Sequence, residues 1–463
     1  MIPFTIAQLA QFTGGTLDQV SDPDAEVAGP VVIDSREARP GAIFAALPGT
    51  RTDGHQHAGA AAKAGAALVL GVRPVGVPCL IVPDVPAALG QLARALVDRL
   101  PELTIAGITG SAGKTTTKDL AAQLIAALGP TVAPANSFNN EIGHPLTVLR
   151  ADASTRYLVA ELSARGAGHI AALCEIAPPR LGVVLCVGNA HAGEFGTQEQ
   201  IAAAKAELPA AIPADGVTIL NADDPFVIAM AAKTAARVVT FGQSVDAEVR
   251  ASDLELDHLG RPRFTLRTPA GSAAVQLTLS GAHNVTNALA AAALASELGL
   301  SVPAIADGLS TATAQSKWRM EVTERPDGVI VVNDAYNSSP EAVTAALAAI
   351  EVIAAGRRAY AVLGRMAELG ERSREFHEQA GIAAARTGLA GIIAVGDEAA
   401  PILTGAKSEP GYAGELLGVP DDQAAIAALA ERLRPGDVVL VKASRAAGLQ
   451  TVALALTAQE STS

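Results

Sequence analysis

A glycine-rich turn followed by a lysine and three threonines carries the clearest chemical signal in this sequence of 463 residues. The segment TGSAGKTTTKD follows an apolar, strand-like run at 103–108 and leads into a helical pattern. Glycines let backbone N–H groups converge on phosphate oxygens, and the positive end of the helix dipole favours the same anion. In such loops the Lys114 ammonium reaches the β- and γ-phosphates, and the Thr115 hydroxyl ligates Mg²⁺. The sequence therefore predicts a nucleoside-triphosphate site formed by Gly110, Ser111, Ala112, Gly113, Lys114, Thr115 and Thr116.

This pattern leaves two questions open. Position 108 is Ile where the strict G-x-x-x-x-G-K-[ST] motif has Gly, so a glycine turn before a threonine-rich helix start is the structural alternative. A phosphate loop alone is also compatible with kinases, GTPases, motors and ligases. No guanine-specific N-K-x-D motif stands at the expected later position, so other residues must select among these classes.

Three further polar residues follow predicted elements of the same region. Glu161 ends the apolar run RYLVAELS, and His191 comes just after LGVVLCVGN. Open α/β sheets place their sites at the carboxyl ends of their strands, which favours a functional role for both residues. Lys205 lies in the helical segment AAAKAELP, and lysine is scarce, with 8 lysines among the 34 basic residues. The structural alternatives are a solvated carboxylate, a structural histidine and a surface lysine.

The elements that must position these residues alternate between strand and helix along most of the chain. This alternation predicts an α/β fold with three domains and mostly parallel sheets, and about 150 residues per domain gives the same number. Pro101 ends the first amphipathic helix, and a second boundary falls near 311–317. Alternating polarity with turn signals predicts an antiparallel hairpin or small sheet at 247–279. The predicted domains are a small N-terminal α/β unit at 1–101, a central P-loop ATPase-like parallel sheet at 102–313, and a C-terminal Rossmann-like unit at 314–463.

Composition excludes several broad classes of protein. The charged fraction of 17% and the hydrophobic fraction of 49% indicate a folded chain, and the net charge of −13 argues against general nucleic-acid binding. The sequence has no secretory signal pattern and no apolar run of roughly 18 residues, so we expect a cytoplasmic protein without a membrane span. Cys79, Cys174 and Cys186 have no metal-type spacing and are predicted to be reduced residues of the apolar core.

The phosphate-loop segment resembles the ATP loop of the Mur ligases and of the related folylpolyglutamate synthetases. The resemblance extends over nearly the whole chain. An N-terminal segment, DSREARPGAIFAALPGTRTDGHQHAGAAAKAGA, is similar to the uridine-nucleotide-binding domain of Mur ligases. The order of the later segments matches the branch of the family that adds D-alanyl-D-alanine. These segments are NSFNNEIGHPLTVL, GAHNVTNALAA, WRMEV, NDAYNSSPEAV, VLGRMAELGERSREFHEQAG and LVKASR.

This resemblance implies an ATP-dependent amide ligase of peptidoglycan precursor synthesis. One implied substrate is UDP-N-acetylmuramoyl-tripeptide, whose terminal carboxylate becomes an acyl phosphate. The other is D-alanyl-D-alanine, whose amine attacks that acyl phosphate. The implied cofactors are ATP and Mg²⁺, together with a carbamylated Lys205. We expect a monomer that closes over ATP, because the implied site residues are spread over all three domains.

The resemblance also implies roles for single residues at the ATP site. Thr115, Glu161, His191 and carbamylated Lys205 are the implied metal ligands. Asn284 contacts adenine, Arg319 the γ-phosphate and Asp334 the ribose hydroxyls, while Tyr336 and Asn337 shape the same site. The structural alternatives are a helix N-cap for Asn284 and a turn for the cluster around Asp334. The implied catalytic residues are Lys114, His191, Lys205 and Arg319.

Candidate substrate residues lie at both ends of the chain. An arginine fork suits a diphosphate, which favours Arg36 and its neighbour Ser35 for the UDP end. Asn139 and Asn140 are candidates for the sugar-peptide. Arg445 could pair with the dipeptide carboxylate. Lys442, Ser444 and Arg445 are the candidates for D-alanyl-D-alanine, with His377 as a supporting residue.

Three alternatives stay open at this point. A diaminopimelate- or lysine-adding ligase should carry a D-N-P-R-type motif near 375–420 and a G-K-G-H-E-like end, but VKASR stands there. A folylpolyglutamate synthetase should lack the N-terminal DSR segment. A non-catalytic nucleotide-binding scaffold should have a damaged phosphate loop or lack Glu161 or Lys205, and all are intact. The chain also departs from the family pattern at Trp318, where Gly is frequent, and at His169, where Glu is commoner.

Overall fold

The computed structural model describes residues 1–49, 52–188 and 197–458. Within this part of the chain, the strands form three larger sheets of five, nine and six strands and one two-stranded ribbon. The predicted three-domain α/β architecture is confirmed. The predicted boundaries at 101 and 313 remain predictions. They fall in connections, the first between a helix ending at Val97 and a strand beginning at Thr104.

The N-terminal unit is a small, mainly parallel sheet with helices on its faces. The sheet has the order β2-β7-β6-β5-β4, with β2 antiparallel to β7, and β1 pairs separately with β3. Its helices are Ile6–Thr13, Ala58–Lys63 and Val85–Val97. Its strands are β1 Phe4–Thr5, β2 Thr16–Asp18, β3 Glu26–Val27, β4 Val31–Val32, β5 Ile43–Ala45, β6 Leu68–Gly71 and β7 Cys79–Ile81.

Local hydrogen bonds explain two element boundaries in this unit. The strand predicted at 31–35 ends already at Val32, because Asp34 Oδ1 accepts a hydrogen bond from Arg36 N at 2.9 Å and starts a 3₁₀ turn. Asp84 caps the helix Val85–Val97 by accepting a hydrogen bond from Ala87 N at 2.7 Å. The apolar face of this helix joins one hydrophobic core with Ile105 and other residues of the central unit.

The central unit contains the largest sheet. Its order is β16-β15-β14-β13-β12-β11-β8-β10-β9, parallel from β14 to β9 and antiparallel at β15 and β16. The antiparallel strands predicted at 247–279 are present, but they extend this sheet instead of forming a separate one. Its strands are β8 Thr104–Thr109, β9 Thr131–Val132, β10 Tyr157–Glu161, β11 Leu181–Val184, β12 Val217–Asn221, β13 Arg237–Gly242, β14 Val249–Leu256, β15 Pro262–Thr268 and β16 Gly271–Gln276.

One helix of the central unit is buried on all sides. Its helices are Lys114–Ile125, Gly143–Val148, His169–Ile176, Gln198–Lys205, Glu207–Ala211, Pro225–Ile228, His283–Glu297 and Val302–Thr311. In His283–Glu297, every residue from Ala288 to Ala295 is 0% exposed. Methyl side chains let this helix pack closely against the helix Lys114–Ile125 and against β13. The two helix N-termini are therefore held beside each other.

The C-terminal unit is a six-stranded sheet with the order β17-β18-β22-β19-β20-β21. Only β17 is antiparallel to its neighbour, so the Rossmann-like prediction fits. β17 and β21, short strands at the two edges, were not predicted from the sequence. Its strands are β17 Glu321–Glu324, β18 Ile330–Asp334, β19 Ala359–Leu363, β20 Gly391–Val395, β21 Glu415–Val419 and β22 Val438–Lys442. Its helices are Pro340–Ala354, Ser373–Arg386, Ala400–Ser408, Asp422–Arg432 and Gln450–Ala458.

The three cysteines occupy two kinds of environment. Cys79 and Cys174 are buried, as predicted. Cys186 packs against the central core but is only half-buried, because β11 has ended at Val184 and the chain then runs beside the phosphate loop. There Ala112 N donates a hydrogen bond to Cys186 Sγ at 3.3 Å. No helix among the described residues has the length and apolar character needed to cross a bilayer.

Candidate active site

The predicted phosphate loop joins β8 to the helix Lys114–Ile125. Gly113 has a φ of 81°, and a Cβ atom there would lie 2.3 Å from Asn287 Oδ1, so no side chain fits. Lys114 Nζ turns back over the loop and donates to Gly110 O at 2.7 Å. Burial lowers the pKa of Lys114, while the Glu161 carboxylate opposes that shift. The loop therefore holds a cation close to backbone N–H groups at a helix N-terminus, as phosphate binding requires.

Arg319 reaches the phosphate loop from the start of the C-terminal unit. Its Nη2 donates to Thr115 Oγ1 at 3.0 Å and to Ser137 Oγ at 3.2 Å, and the two hydroxyls lie 2.9 Å apart. The guanidinium group also stacks over Tyr336, 4.4 Å from the ring centroid. Residues separated by 204 positions therefore meet at the loop.

Glu161 ends β10 beside β8, where it pairs in register with Ile108. The carboxylate is 1% exposed, and its Oε1 accepts a hydrogen bond from Asn139 Nδ2 at 2.7 Å. Its Oε2 is buried without a hydrogen-bond partner among the described residues. Since an orphaned carboxylate oxygen and the Thr115 hydroxyl line the same cavity, the donor set fits Mg²⁺. No group of three His, Cys, Asp or Glu residues suited to a metal occurs in the described ranges.

Lys205 ends the helix Gln198–Lys205 and is 6% exposed. Within the described residues its Nζ has no hydrogen bond and no ion pair. Burial, with repulsion from Lys114 as the second cause, lowers its pKa from 10.5 to about 7. Such an amine is about half protonated at pH 7 and becomes largely neutral above that pH. The remaining predicted ligand, His191, lies outside the described residues.

A cavity of about 180 Å³ adjoins the loop on the side of Lys114 and Glu161. Asn139 and Asn140 both line it, as predicted for substrate residues, but each has a hydrogen bond inside the protein. Asn139 holds Glu161, and Asn140 Oδ1 accepts a hydrogen bond from Gly143 N at 2.9 Å. Several polar residues on this wall were not predicted from the sequence, namely Ser137, Ser163, Arg165 and His169. His169 could have been found, because it occupies a position where the family usually has an acidic residue.

A second cavity, of about 340 Å³, lies between the central and C-terminal units. Three helices point their N-termini at it, beginning at Lys114, His283 and Pro340. Each N-terminus carries partial positive charge, so the wall favours an anionic ligand. Predicted residues from both units line this cavity, including Asn284, Arg319, Asp334 and Lys442. The same wall contains three residues that were not predicted from the sequence: His283, Asn221 and Asn287.

Asn284 lies inside the first helical turn and not at the N-cap, which is Ala282. Its Nδ2 donates to Ser280 O at 2.8 Å, and its Oδ1 accepts from Asn287 Nδ2 at 2.9 Å. Asn287 Oδ1 in turn accepts a hydrogen bond from Thr117 Oγ1 at 3.3 Å. The asparagine pair therefore ties the cavity wall to the phosphate-loop helix. The spacing of three residues in N-V-T-N was the sequence signal for Asn287.

Lys442, a predicted dipeptide residue, forms an ion pair with Asp334. The two residues are in register on the neighbouring parallel strands β22 and β18. Lys442 Nζ is 2.5 Å from Asp334 Oδ2 and 3.0 Å from Asn337 O, and the side chain is 1% exposed. Asp334 Oδ1 also accepts a hydrogen bond from Met320 N at 3.1 Å. This ion pair therefore belongs to the wall of the interdomain cavity.

The other predicted dipeptide residues are divided between the protein surface, where Arg445 is exposed, and the protein interior. Arg445 stacks over Tyr336 at 5.5 Å from the centroid, on the ring that also carries Arg319. Ser444 is 4% exposed, and its Oγ accepts a hydrogen bond from Ala367 N at 2.9 Å. His377 is 0% exposed, and its Nε2 accepts a hydrogen bond from Met366 N at 2.9 Å. Burial lowers the pKa of His377, so this neutral side chain holds the loop around Met366.

The predicted UDP-binding residues lie apart from both cavities. Neither Ser35 nor Arg36 lines them. Arg36 is highly exposed and forms a bidentate ion pair with Asp34, with an Nε–Oδ1 distance of 2.9 Å. This pairing holds the pKa of Asp34 at about 2. The structure therefore brings together the predicted ATP-site residues of the second and third domains that it describes, whereas the predicted UDP-binding residues of the first domain lie elsewhere.

Comparison with known proteins agrees with this architecture. Three family models match the chain: "Mur ligase family, catalytic domain" at residues 30–103, "Mur ligase middle domain" at 108–295 and "Mur ligase, glutamate ligase domain" at 318–445. A UDP-N-acetylmuramoyl-tripeptide–D-alanyl-D-alanine ligase of Mycobacterium tuberculosis is 49% identical over 503 aligned positions, which cover 99% of both chains.

Solved structures give a consistent result. MurF from Acinetobacter baumannii superposes with a TM-score of 0.86 at 31% identity, covering 98% of this chain and 99% of that one. The MurF ligase of Thermotoga maritima, crystallised in complex with ADP, has a TM-score of 0.77 at 30% identity, covering 94% and 98%.

Proposed function

Because the chain belongs to the Mur ligase family, we propose that it joins D-alanyl-D-alanine to UDP-N-acetylmuramoyl-tripeptide at the expense of ATP. The carboxylate of the tripeptide attacks the γ-phosphate, and ADP leaves. The amine of the dipeptide then attacks the acyl phosphate, and phosphate leaves with formation of the amide bond. One geometric observation gives the main support for this proposal. Arg319 of the C-terminal unit donates a hydrogen bond to Thr115 of the phosphate loop in the central unit, so the two units contribute to one proposed reaction centre.

Charge neutralisation is the first task of this centre, because an anionic carboxylate must approach an anionic phosphate. Lys114 and Arg319 provide fixed positive charge on two sides of the loop. Thr115 and Glu161 are the described residues suited to hold Mg²⁺, which when bound supplies additional positive charge at the phosphates. Preorganised charges of this kind stabilise a transition state without reorganisation during the reaction.

Positioning is the second task. In this proposal the nucleoside occupies the interdomain cavity, with Asn284 on the central wall and Asp334 on the opposite wall. The tripeptide end enters the cavity lined by Asn140, Arg165 and His169, next to Lys114. Arg445 approaches the same reaction centre from the third unit through Tyr336. Binding the three substrates next to each other lowers the entropic cost of bringing the reacting groups together.

We assign Lys205 to a carbamate formed with CO₂. A buried amine beside Lys114 suffers charge repulsion when protonated, and its pKa of about 7 leaves much of it neutral and nucleophilic. Attack of the neutral amine on CO₂ forms a C–N bond and releases one proton. The resulting anion would attract Lys114 and supply an oxygen donor for Mg²⁺. Incubation with ¹³C-bicarbonate should give a carbamate NMR signal that Lys205→Met lacks. A spectrum without such a signal in the wild type would exclude the carbamate.

Ser35 and Arg36 remain our candidates for the uridine diphosphate end. The N-terminal unit is the domain to which we have assigned no other substrate. Its Arg36 is exposed to solvent, where the diphosphate could replace Asp34 as the ion-pair partner of the guanidinium group. Exchange of one anionic partner for another needs no rearrangement of the backbone. Arg36→Ala should raise KM for the UDP substrate and leave KM for ATP unchanged.

Phosphate release is the direct test of the whole proposal. The enzyme is supplied with ATP, Mg²⁺ and UDP-N-acetylmuramoyl-tripeptide, and D-alanyl-D-alanine is present or withheld. Release should depend on the dipeptide. Matched reactions with UDP-N-acetylmuramoyl-dipeptide and either diaminopimelate or lysine test the alternative ligase activity. Dipeptide-independent turnover, or turnover only in the matched reactions, would overturn the proposal.

A further inference from the structure

The segment between the central and C-terminal units lies along one side of the phosphate-loop helix. Thr115, Asp119 and Gln123 are four residues apart, so their side chains share one face of that helix. We propose that this face is a clamp for the linker and that Asp119 is a positioning residue for Arg319. This proposal rests on the proposed ligase function, in which Arg319 acts at the phosphates.

The clamp consists of three successive contacts. Gln123 Nε2 donates to Thr313 O at 3.0 Å, and its Oε1 accepts from Thr313 N at 3.1 Å. Asp119 Oδ2 accepts a hydrogen bond from Ser316 N at 3.0 Å. Thr115 Oγ1 then accepts from Arg319 Nη2 at 3.0 Å. The linker therefore runs antiparallel to the helix. Its contacts are three residues apart along the linker and four residues apart along the helix.

The central contact is fixed by a buried ion pair. Lys118 forms an ion pair with Asp119 Oδ1 and also donates to Pro134 O at 2.7 Å. Lys118 is 1% exposed and Asp119 is 5% exposed. Lys118 thus holds Oδ1 of Asp119, which leaves Oδ2 to accept the hydrogen bond from Ser316 N of the linker. Neither residue has a role in the reaction proposed above.

The linker needs such support because its backbone is strained around Arg319. Trp318 has a φ of 60° and Met320 a φ of 50°, and non-glycine residues rarely adopt this left-handed region. Hydrogen bonds hold both residues: Trp318 N donates to Glu321 Oε2 at 3.2 Å, and Met320 N donates to Asp334 Oδ1 at 3.1 Å. If the clamp is released, the strain favours a different path for the linker and moves Arg319 away from Thr115.

The only tryptophan of the chain reports on this linker without any substrate. Trp318 is half-buried and adjoins Arg319. In Asp119→Ala we expect a red-shifted Trp318 emission and stronger quenching by acrylamide than in the wild type. Asp98→Ala, which removes a carboxylate from another helix, is the matched control and should leave the emission unchanged. Equal quenching in all three proteins would overturn the clamp even if ligase activity were absent.

A kinetic cycle then tests the link to Arg319. We expect Asp119→Ala to lower kcat by about 100-fold and to change KM for the UDP substrate little, because misplacement of a catalytic group has about this effect. In an Arg319→Ala background, the same substitution should change kcat by less than about twofold, since the residue it positions is already missing. Independent, multiplying effects of the two substitutions would overturn the positioning role and leave the ligase proposal intact.

Two further variants keep the test decisive if Asp119→Ala does not fold. Lys118→Met combined with Asp119→Asn retains an acceptor for Ser316 N without the buried charges. It should recover most of the wild-type kcat and the wild-type Trp318 emission. Gln123→Ala removes the contact to Thr313 at the helix end and should shift both observables in the direction of Asp119→Ala, by a smaller amount. Wild-type quenching in Gln123→Ala, together with low kcat in the double variant, would contradict the clamp.

Discussion

Four lysines of this protein that are wholly or partly buried form two pairs. The members of one pair form ion pairs and have structural roles, whereas those of the other do not and are the proposed reactive groups. Lys118 and Lys442 are each 1% exposed and each forms an ion pair, with Asp119 and Asp334 respectively. Lys114 is half-buried and Lys205 is 6% exposed, and within the described residues neither forms an ion pair. Desolvation without an ion-pair partner lowers the pKa of both. A desolvated lysine without an ion-pair partner is suited to bind an anionic ligand or to react. A lysine in a buried ion pair instead connects two parts of the fold.

The largest expected effect that tests this comparison is on Lys114. Lys114→Met should lower the rate of phosphate release by about 1000-fold, because it removes positive charge at the transferred phosphate. The free energy of unfolding should not fall, since the substitution also removes a desolvated charge. Urea unfolding monitored alongside the rate measures both quantities. Lys63→Met, at an exposed position, is the control, and a rate within tenfold of that control would contradict the assignment.

Lys205→Ala should have the next largest effect and lower the rate by about 100-fold, through loss of the carbamate. The pKa of Lys205 falls from 10.5 to about 7 on folding, so the native state keeps the amine neutral where the unfolded chain protonates it. Stability from this group therefore increases as pH rises from about 7 to about 10.5. Carbamate formation needs the neutral amine, so its ¹³C signal should grow as pH rises through about 7. Exposed Lys233→Ala is the control, and a signal that grows toward acid pH would contradict this account.

For a paired lysine the loss should appear in stability. Lys118→Met should lower the free energy of unfolding by about 3 kcal/mol, because it leaves Asp119 buried and uncompensated. Comparison with Lys114→Met in the same urea experiment makes the contrast direct. If both substitutions cost the same, pairing is not what distinguishes the two kinds of lysine.

The smallest effect belongs to an exposed ion pair. Arg94 and Asp98 are 2.7 Å apart on one helix, with side chains about half exposed. Asp98→Ala should change the free energy of unfolding by less than about 0.5 kcal/mol, since water screens the pair. A cost as large as that of Lys118→Met would show that burial is not the decisive variable.

The features that sequence predicts well here are local. The order strand, glycine turn, Lys114 and helix lies within a short segment, and the apolar runs of β10 and β11 are continuous because both faces of those strands are buried. Edge strands β17 and β21 escaped prediction because their residues are partly exposed and carry no clear period. The roles of single residues and the predicted monomeric state remain predictions.

The hydrogen-bond or ion-pair partner of each buried polar group could not be predicted from the sequence. Lys442 meets Asp334 only because β22 and β18 are neighbours in register, although 108 residues separate them. The contact of Asp119 with Ser316 spans 197 residues and depends on the path of the linker. Spacing along the chain contains no information on such contacts. The family resemblance identified Arg319, whereas the structure identified what holds it.

The interdomain cavity has walls from the central and C-terminal units, so a nucleotide bound there, as we propose, would be a component of their interface. Asn284 belongs to one wall and Asp334 to the other, so a ligand bound to both adds its binding free energy to domain cohesion. Cohesion is then greatest with ATP in place and weakest after ADP leaves. The protein would thus open at the stage of its cycle when product must depart and new substrates must enter. Turnover would set the timing of that opening, with no separate switch required.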